Sequence, residues 1–114
     1  MRLGTKQEEF SLDLSKLIQF AYDKGYKIRM GEVLRLPARA KANARTGVGI
    51  SNSLHLIKLA VDLNLFKDGK YLRSTKSHSE LGAYWKSLNL GNCWGGDFKK
   101  KDGNHYSRTH GGVK

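Results

Sequence analysis

Four side chains of the types that bind metal ions or move protons stand out by their positions: His55, Asp62, Asp102 and His105. His55 ends a glycine-containing loop, Asp62 lies on the polar side of an otherwise apolar run, and Asp102 precedes His105 by three residues. Two imidazoles and one carboxylate can hold a zinc ion and leave a fourth tetrahedral position for water. The residue types therefore favour a hydrolytic metal centre.

The seven-residue step from His55 to Asp62 tests this hypothesis. In one continuous helix the two Cα atoms would lie about 10 Å apart, and in one straight strand more than about 20 Å apart. Side chains that share an ion must approach to within roughly 4 Å of each other. A shared ion thus requires the chain to bend back between His55 and Leu59. Spacing alone leaves the alternative open that Asp62 is a solvated strand residue and His55 a loop residue.

Other residues that could do chemistry have weaker support. Cys93 has no visible base as a partner, so we interpret it as a small packing residue and not as a thiolate nucleophile. His110 could replace His105 as a ligand, but its glycine-rich surroundings favour an exposed residue. The segment Gly47-Val48-Gly49 lacks the Gly-Lys-Ser/Thr continuation of a phosphate-binding loop.

Hydrophobic periodicity predicts three helices that could position these residues. The first follows a capping-box pattern at Thr5 and Glu8, and a second pattern of this kind at Ser77 and Glu80 precedes another amphipathic stretch. Pro37 suits the first turn of the remaining helix. The predicted helices are 5–24, 38–45 and 77–88.

Alternating apolar and polar residues predict short strands. The central one covers Leu59 to Leu65 and places Asp62 on the face away from the packed side. The turn Lys67-Asp68-Gly69-Lys70 is typical of a hairpin tip, whereas 89–96 is rich in turn residues. The remaining predicted strands are 26–30, 71–72, a short one at Phe98, and 105–107. Together these elements predict a small α+β domain with a short mixed or antiparallel sheet.

Length and charge bound the possible functions. A chain of 114 residues argues for one domain over 1–114, with a core of about 5–107 and a basic tail, 108–114, that frays. Its formal net charge of +11 attracts polyanions, such as nucleic acid, anionic lipid or the bacterial wall. One cysteine excludes an intramolecular disulfide, and no apolar stretch is long enough to insert stably into a membrane. We expect a cytoplasmic product without a signal peptide.

Three segments resemble a known enzyme family. Residues 53–62, SLHLIKLAVD, resemble the SxHxxGxAxD motif of the zinc D-Ala-D-Ala carboxypeptidases, vancomycin-resistance D,D-dipeptidases and phage L-alanyl-D-glutamate endopeptidases. Residues 102–105, DGNH, resemble the second motif of that family, Glu/Asp-x-x-His. Residues 93–98, CWGGDF, are similar to the Trp-Gly-Gly-Asp-aromatic segment that precedes this motif in the phage enzymes. The likeness covers about 31–106.

The resemblance implies a fold and a set of roles. The fold would be that of the hedgehog and D,D-peptidase domains. His55, Asp62 and His105 would be the ligands of one Zn²⁺ per chain, and Asp102 the general base. By the same likeness, Arg35 would contact the scissile carbonyl and its developing oxyanion. Ser53 would bind substrate or brace the loop.

Two positions depart from the family pattern. The family glycine is Lys58 here, and a positive φ at this position would strain a lysine by roughly 1–2 kcal/mol. The second motif begins with Asp102, whereas the dipeptidases have glutamate, so the shorter side chain must be offset by the placement of the backbone.

The resemblance predicts a monomeric zinc peptidase that acts on the stem peptide of peptidoglycan, has no nucleic-acid partner and does not insert stably into a membrane. Cleavage of the L-Ala–D-Glu bond by a phage endolysin, which reaches the wall after release from the host cytoplasm, is the leading expectation. A D-Ala-D-Ala carboxypeptidase or dipeptidase is the alternative within the family. A basic nucleic-acid-binding protein is the alternative of another class, since the charge alone would suit it.

Overall fold

The computed structural model describes residues 2–31 and 54–114, with only the backbone described at 55 and 56. The predicted helix over 38–45 lies outside the described residues, as do Arg35 and Ser53. The described part is a small α+β domain, as predicted, with two α-helices beside an antiparallel sheet.

Both described helices were predicted, but neither begins at its predicted capping box. Helix α1 covers Leu3–Asp23, with Arg2 as its N-cap, so Thr5 lies inside the helix. Helix α2 covers Ser79–Leu88 and follows a 3₁₀ turn, Lys76–His78. The Oγ of Ser74 accepts a hydrogen bond from the Ser77 amide inside this turn. The N-cap of α2 itself is His78, which makes no side-chain capping bond.

Five strands form one sheet in the described part of the chain: β1 (Lys27–Met30), β2 (Ala60–Lys67), β3 (Lys70–Leu72), β4 (Asn92–Trp94) and β5 (His105–Arg108). The order is β1-β2-β5-β4, with β3 also paired to β2. All of these pairs are antiparallel. The hairpin between β2 and β3 is confirmed, because Asp68 and Gly69 have the positive φ angles of 52° and 78° that a tight turn requires.

Two local predictions around β4 are wrong. Phe98 follows a 3₁₀ turn, Gly95–Asp97, and belongs to no strand. The stretch 89–96, which is rich in turn residues, contains β4. The sequence pattern of this stretch does not predict a strand, but β4 pairs with β5. Pairing to an existing strand has overridden the local turn preference here.

The core lies between the helices and one face of the sheet. On β2, Val61, Leu63 and Leu65 are fully buried and alternate with Asp62 and Asn64, which are half-buried, as the sequence predicts. The same core includes residues of both helices, among them Phe10, Leu17, Ala21, Leu81 and Trp85. The opposite face of β2 therefore carries the polar side chains.

The basic tail that the sequence predicts to fray begins inside the folded domain. Arg108 is a buried residue of β5, and its guanidinium lies 2.9 Å from the Glu9 carboxylate of α1. Beyond it, the backbones of His110 and Val113 exchange two 3.0 Å hydrogen bonds. The Arg108–Glu9 ion pair and a 3.3 Å hydrogen bond from Lys6 Nζ to the Thr109 carbonyl hold this segment against the first helix, and the bridge closes its last turn.

In the described ranges, neither helix combines the length and the apolar character that crossing a bilayer requires.

Candidate active site

Asp62 and His105 occupy directly opposite positions on β2 and β5. The Asp62 carbonyl accepts a 2.8 Å hydrogen bond from the Gly31 amide, on the side of β2 away from β5. Asp62 and His105 are therefore an opposite pair without backbone hydrogen bonds to each other. Opposite residues of that type have the closest side chains in an antiparallel sheet. His105 Nδ1 accordingly lies 3.7 Å from Asp62 Oδ1.

Gly31 allows the close approach on the other side of Asp62. A Cβ at this position would lie 2.8 Å from the Asp62 carbonyl oxygen and 3.1 Å from its Cβ. A larger residue would push β1 away from the start of β2. The glycine at the end of β1 therefore helps to set the position of Asp62.

Asp102 reaches the same place through a turn before β5. Its amide donates a 2.9 Å hydrogen bond to the Gly95 carbonyl, and its own carbonyl accepts a 3.1 Å bond from the His105 amide. A Cβ at Gly95 would overlap the Asp102 carbonyl oxygen. The backbone can take this path only because residue 95 is glycine.

The indole ring of Trp94 supports this turn. It lies against two glycines, Gly82 of α2 and Gly96, and a Cβ on either would overlap the ring. Its Nε1 donates a 2.7 Å hydrogen bond to the Gly103 carbonyl, inside the turn between Asp102 and His105. The segment before the second motif thus positions the motif itself.

Asp62, Asp102 and His105 form a cluster in which one ligand atom from each residue lies within 4.8 Å of the others. Ligands of a tetrahedral zinc ion at about 2.0–2.2 Å are roughly 3.4 Å apart. The 3.7 Å between Asp62 and His105 is near this value. The side chains of His105 and Asp62 are 10% and 25% exposed, whereas Asp102 is an exposed residue at the edge. These donors could hold a metal ion, with Asp62 and His105 on its inner side and the Asp102 carboxylate on the side open to solvent.

The bend predicted after His55 is present. Residues Leu54–Ile57 form a 3₁₀ turn, and the Leu59 amide donates a 3.0 Å hydrogen bond back to the Leu54 carbonyl. Between them Lys58 has a φ of +57°, the left-handed conformation in which the family has glycine. The side chain of His55 lies outside the described atoms, so its role as a ligand stays a prediction.

Of the residues singled out by sequence, the structure thus brings together Asp62, Asp102 and His105. The roles proposed for Arg35 and Ser53 fall on residues that the structure does not describe. Phe98 lies beside the site, with its ring 5.3 Å from the His105 ring and inclined by 54°. In the sequence, the position of Phe98 in the CWGGDF segment is the feature that could have indicated its place near His105.

Burial shifts the pKa of three groups near this centre. Desolvation raises the pKa of the half-buried Cys93 thiol, an effect that the charge of Lys114 partly opposes, which supports a packing role for Cys93. Desolvation also raises the pKa of Tyr106 and lowers that of His78. The Tyr106 hydroxyl and His78 Nδ1 form a 2.7 Å hydrogen bond inside the core. This pair is therefore a neutral structural contact.

Comparison with known proteins places this geometry in context. A family described as D-alanyl-D-alanine carboxypeptidase matches residues 46–108, more than half of the chain, and this stretch contains all three residues of the cluster. The fold is similar to that of the Serratia marcescens L-Ala D-Glu endopeptidase ChiX, with a TM-score of 0.70 and 24% sequence identity over 91% of this chain and 86% of that one. No curated protein sequence matches the chain.

Proposed function

The chain belongs to the D-alanyl-D-alanine carboxypeptidase family of peptidases, and from this premise we propose that it is a zinc peptidase that hydrolyses a bond in the stem peptide of peptidoglycan. The observation that carries the proposal is the convergence of Asp62, Asp102 and His105 within 4.8 Å. Asp62 comes from β2, whereas Asp102 and His105 come from the turn before β5 and from β5, about forty residues later in the chain. A nucleic-acid-binding role would leave this convergence without a use.

His55, Asp62 and His105 are the proposed zinc ligands. Imidazole and carboxylate groups are ordinary zinc donors, and three protein ligands leave a coordination position for water. A zinc ion held by these residues would lower the pKa of its bound water toward neutrality and so supply a hydroxide nucleophile. The low exposure of Asp62 and His105 keeps competing solvent away from these two side chains.

Asp102 is the proposed general base. Its carboxylate lies within 4.8 Å of the two other donors, but unlike them it belongs to an exposed residue. A carboxylate in that position can take a proton from the attacking water and pass it to the departing amine. The hydrogen bond from the Asp102 amide to the Gly95 carbonyl holds the backbone of Asp102 in place during this proton transfer.

Arg35 and Ser53 complete the proposal, although neither belongs to the described residues. Arg35 would contact the scissile carbonyl and stabilise the negative charge that develops on its oxygen, an effect often worth several kcal/mol. Ser53 would hydrogen-bond the substrate or brace the loop that leads to His55.

The scissile bond has two candidates. The similarity of fold to an L-Ala D-Glu endopeptidase and the CWGGDF segment favour cleavage between L-Ala and D-Glu. The description of the matched family favours D-Ala-D-Ala carboxypeptidase activity as the second candidate. Mass analysis of the fragments released from defined muropeptides distinguishes them, because the first reaction frees a peptide that begins with D-Glu and the second frees a single D-Ala.

We further propose that the protein is a monomer, that it acts as a phage endolysin, and that it reaches the wall from the cytoplasm of the producing cell after release. The net charge of +11 supports attraction to anionic wall polymers.

The deciding experiment is hydrolysis of purified peptidoglycan with and without a chelator. Activity should disappear on chelation and return with zinc, whereas full activity in excess chelator would overturn the zinc proposal.

His55→Ala and His105→Ala should each lose bound zinc, with His110→Ala as the matched control that keeps it. Asp102→Asn should keep zinc and lose turnover, whereas Asp97→Asn should keep both. Turnover at the parent rate in Asp102→Asn would remove the base assignment.

A further inference from the structure

The face of the sheet that carries Asp62 and His105 continues away from the cluster along β2. Because side chains alternate along a strand, Asn64 and Phe66 point to the same face as Asp62. The register then adds Arg29 opposite Asn64, and Tyr71 opposite Phe66. The other face of β2 is buried in the core, so this face is the one available to a ligand.

Four side chains on this face form a continuous stack, here called the arginine–aromatic strip: Arg29, Phe66, Tyr71 and Arg73. The Arg29 guanidinium carbon lies 4.3 Å from the centre of the Phe66 ring. The Phe66 and Tyr71 rings are stacked with their centres 5.1 Å apart, and the Arg73 guanidinium carbon lies 5.6 Å from the Tyr71 ring. A cation thus stands at each end of an aromatic pair.

The strip is exposed and positively charged. Arg29 and Arg73 are exposed residues, and Tyr71 is 47% exposed. Among the described residues neither arginine forms an ion pair with a carboxylate. Stacking holds a guanidinium plane by its face and leaves its N–H edge for hydrogen bonds. Such an edge suits a carboxylate, which it can bind with two parallel bonds.

The distance from the cluster matches the spacing of a peptide. Asn64, opposite Arg29, is two residues from Asp62, and Phe66 is four residues from it. Two strand residues span about 6.8 Å and four about 13.5 Å. The strip runs across β1, β2 and β3 at the level of Asn64 and Phe66. An extended peptide that lies along β2 with its scissile bond at the cluster therefore crosses the strip about two to four residues from that bond.

We infer that the arginine–aromatic strip is a subsite of the peptidase that binds carboxylates of the substrate peptide on one side of the scissile bond. Arg29 of β1 and Arg73, which follows β3, are the two anion-binding residues, one on each side of β2. The inference rests on the proposed function, since it assigns to the same site a preference for acidic peptides. It makes Arg29 a specificity-determining residue that contacts substrate away from the reacting atoms.

The test uses zinc-loaded enzyme and two synthetic stem peptides with the same scissile bond. One peptide has free carboxylates, and the other has them converted to carboxamides. Arg29→Gln should raise KM for the acidic peptide about tenfold, which is the size of a lost charged hydrogen bond, with kcat little changed. KM for the amidated peptide should stay the same. Arg73→Gln should have a smaller effect of the same kind, and Lys16→Gln, which removes an exposed charge from α1, should have none.

Arg29→Lys separates geometry from charge, because lysine keeps the charge and loses the planar group. It should recover only part of the wild-type KM. Equal KM values for wild type and Arg29→Gln on the acidic peptide would overturn the subsite while leaving the peptidase assignment in place. Weaker binding to whole walls with unchanged KM on the peptide would also overturn it, and would assign the strip to an anionic wall polymer. A wild-type enzyme that cleaves neither peptide would overturn the proposed function and the subsite together.

Discussion

The indole N–H of Trp94 is hydrogen-bonded at 2.7 Å to the carbonyl of Gly103, so a core side chain directly holds the turn between the proposed base and a proposed zinc ligand. The ring itself is 8% exposed and lies against α2. This contact joins the CWGGDF segment to the second motif, and it explains in physical terms why the two segments occur together in one site.

Trp94→Phe should therefore lower turnover more than stability. The ring would still fill most of the space, and the loss of one hydrogen bond should reduce the free energy of unfolding by about 1 kcal/mol. The freed turn should lower kcat on peptidoglycan fragments by about tenfold or more, because small misplacements of a catalytic group are costly. Trp85→Phe is the matched control, since its N–H bonds the Cys93 and Ser107 carbonyls instead. Equal losses of kcat in the two variants would contradict the prediction.

Gly95→Ala should disturb the site by a different route. The added Cβ would overlap the Asp102 carbonyl oxygen and lie 2.8 Å from the His105 Cβ, so the turn must move. We expect a loss of about 2 kcal/mol in unfolding free energy, measured by urea denaturation, together with weaker zinc binding. Gly4→Ala adds the same methyl group in α1, where nothing lies within 4 Å, and should leave zinc binding unchanged. Normal zinc affinity in Gly95→Ala would show that the close approach is not required.

Lys58→Gly should stabilise the protein. Lys58 has a φ of +57°, a conformation that costs an ordinary L-residue roughly 1–2 kcal/mol, whereas glycine adopts it freely. The greater flexibility of glycine in the unfolded chain offsets part of this gain, so an increase of about 0.5–1 kcal/mol is expected in urea denaturation. Lys58→Ala removes the same charge but keeps the strain. A gain of equal size in Lys58→Ala would show that charge, and not backbone strain, is the cause.

Acid should destabilise the fold through His78. Burial lowers the pKa of this histidine below its ordinary value of 6.5, an effect that a hydrogen bond with the backbone of Leu72 partly opposes. On acidification the unfolded chain therefore binds the proton first, and stability falls as the pH drops from about 6.5 toward the lower pKa of the folded state. Above about pH 6.5 the contribution is complete.

His78→Asn provides the measurement, because asparagine can keep a hydrogen bond to the Tyr106 hydroxyl and does not titrate. Urea midpoints at pH 7.5 and 5.5 should differ less in this variant than in the wild type. The same pH dependence in both proteins would assign the acid sensitivity to other groups.

Much of the local structure could be predicted because it depends on near neighbours in the chain. The apolar stripe of α1, the alternation along β2 and the Asp68–Gly69 turn are all confirmed, since each follows from side-chain period or from the φ that a turn demands. The predicted capping boxes failed because helix ends depend on the preceding chain: the 3₁₀ turn before α2 already includes Ser77.

By itself the sequence determined which residues have the chemistry of the site: the motif around Asp62, the Asp102-x-x-His105 spacing and the segment before it. Tertiary structure alone decided that Asp62 stands opposite His105, that Gly95 admits the Asp102 turn, and that β4 and Arg108 belong to the folded domain. Residue types and periodicities are local properties. Strand register and backbone contact arise only when distant segments exchange hydrogen bonds and share one core, and so the active centre is a product of their assembly.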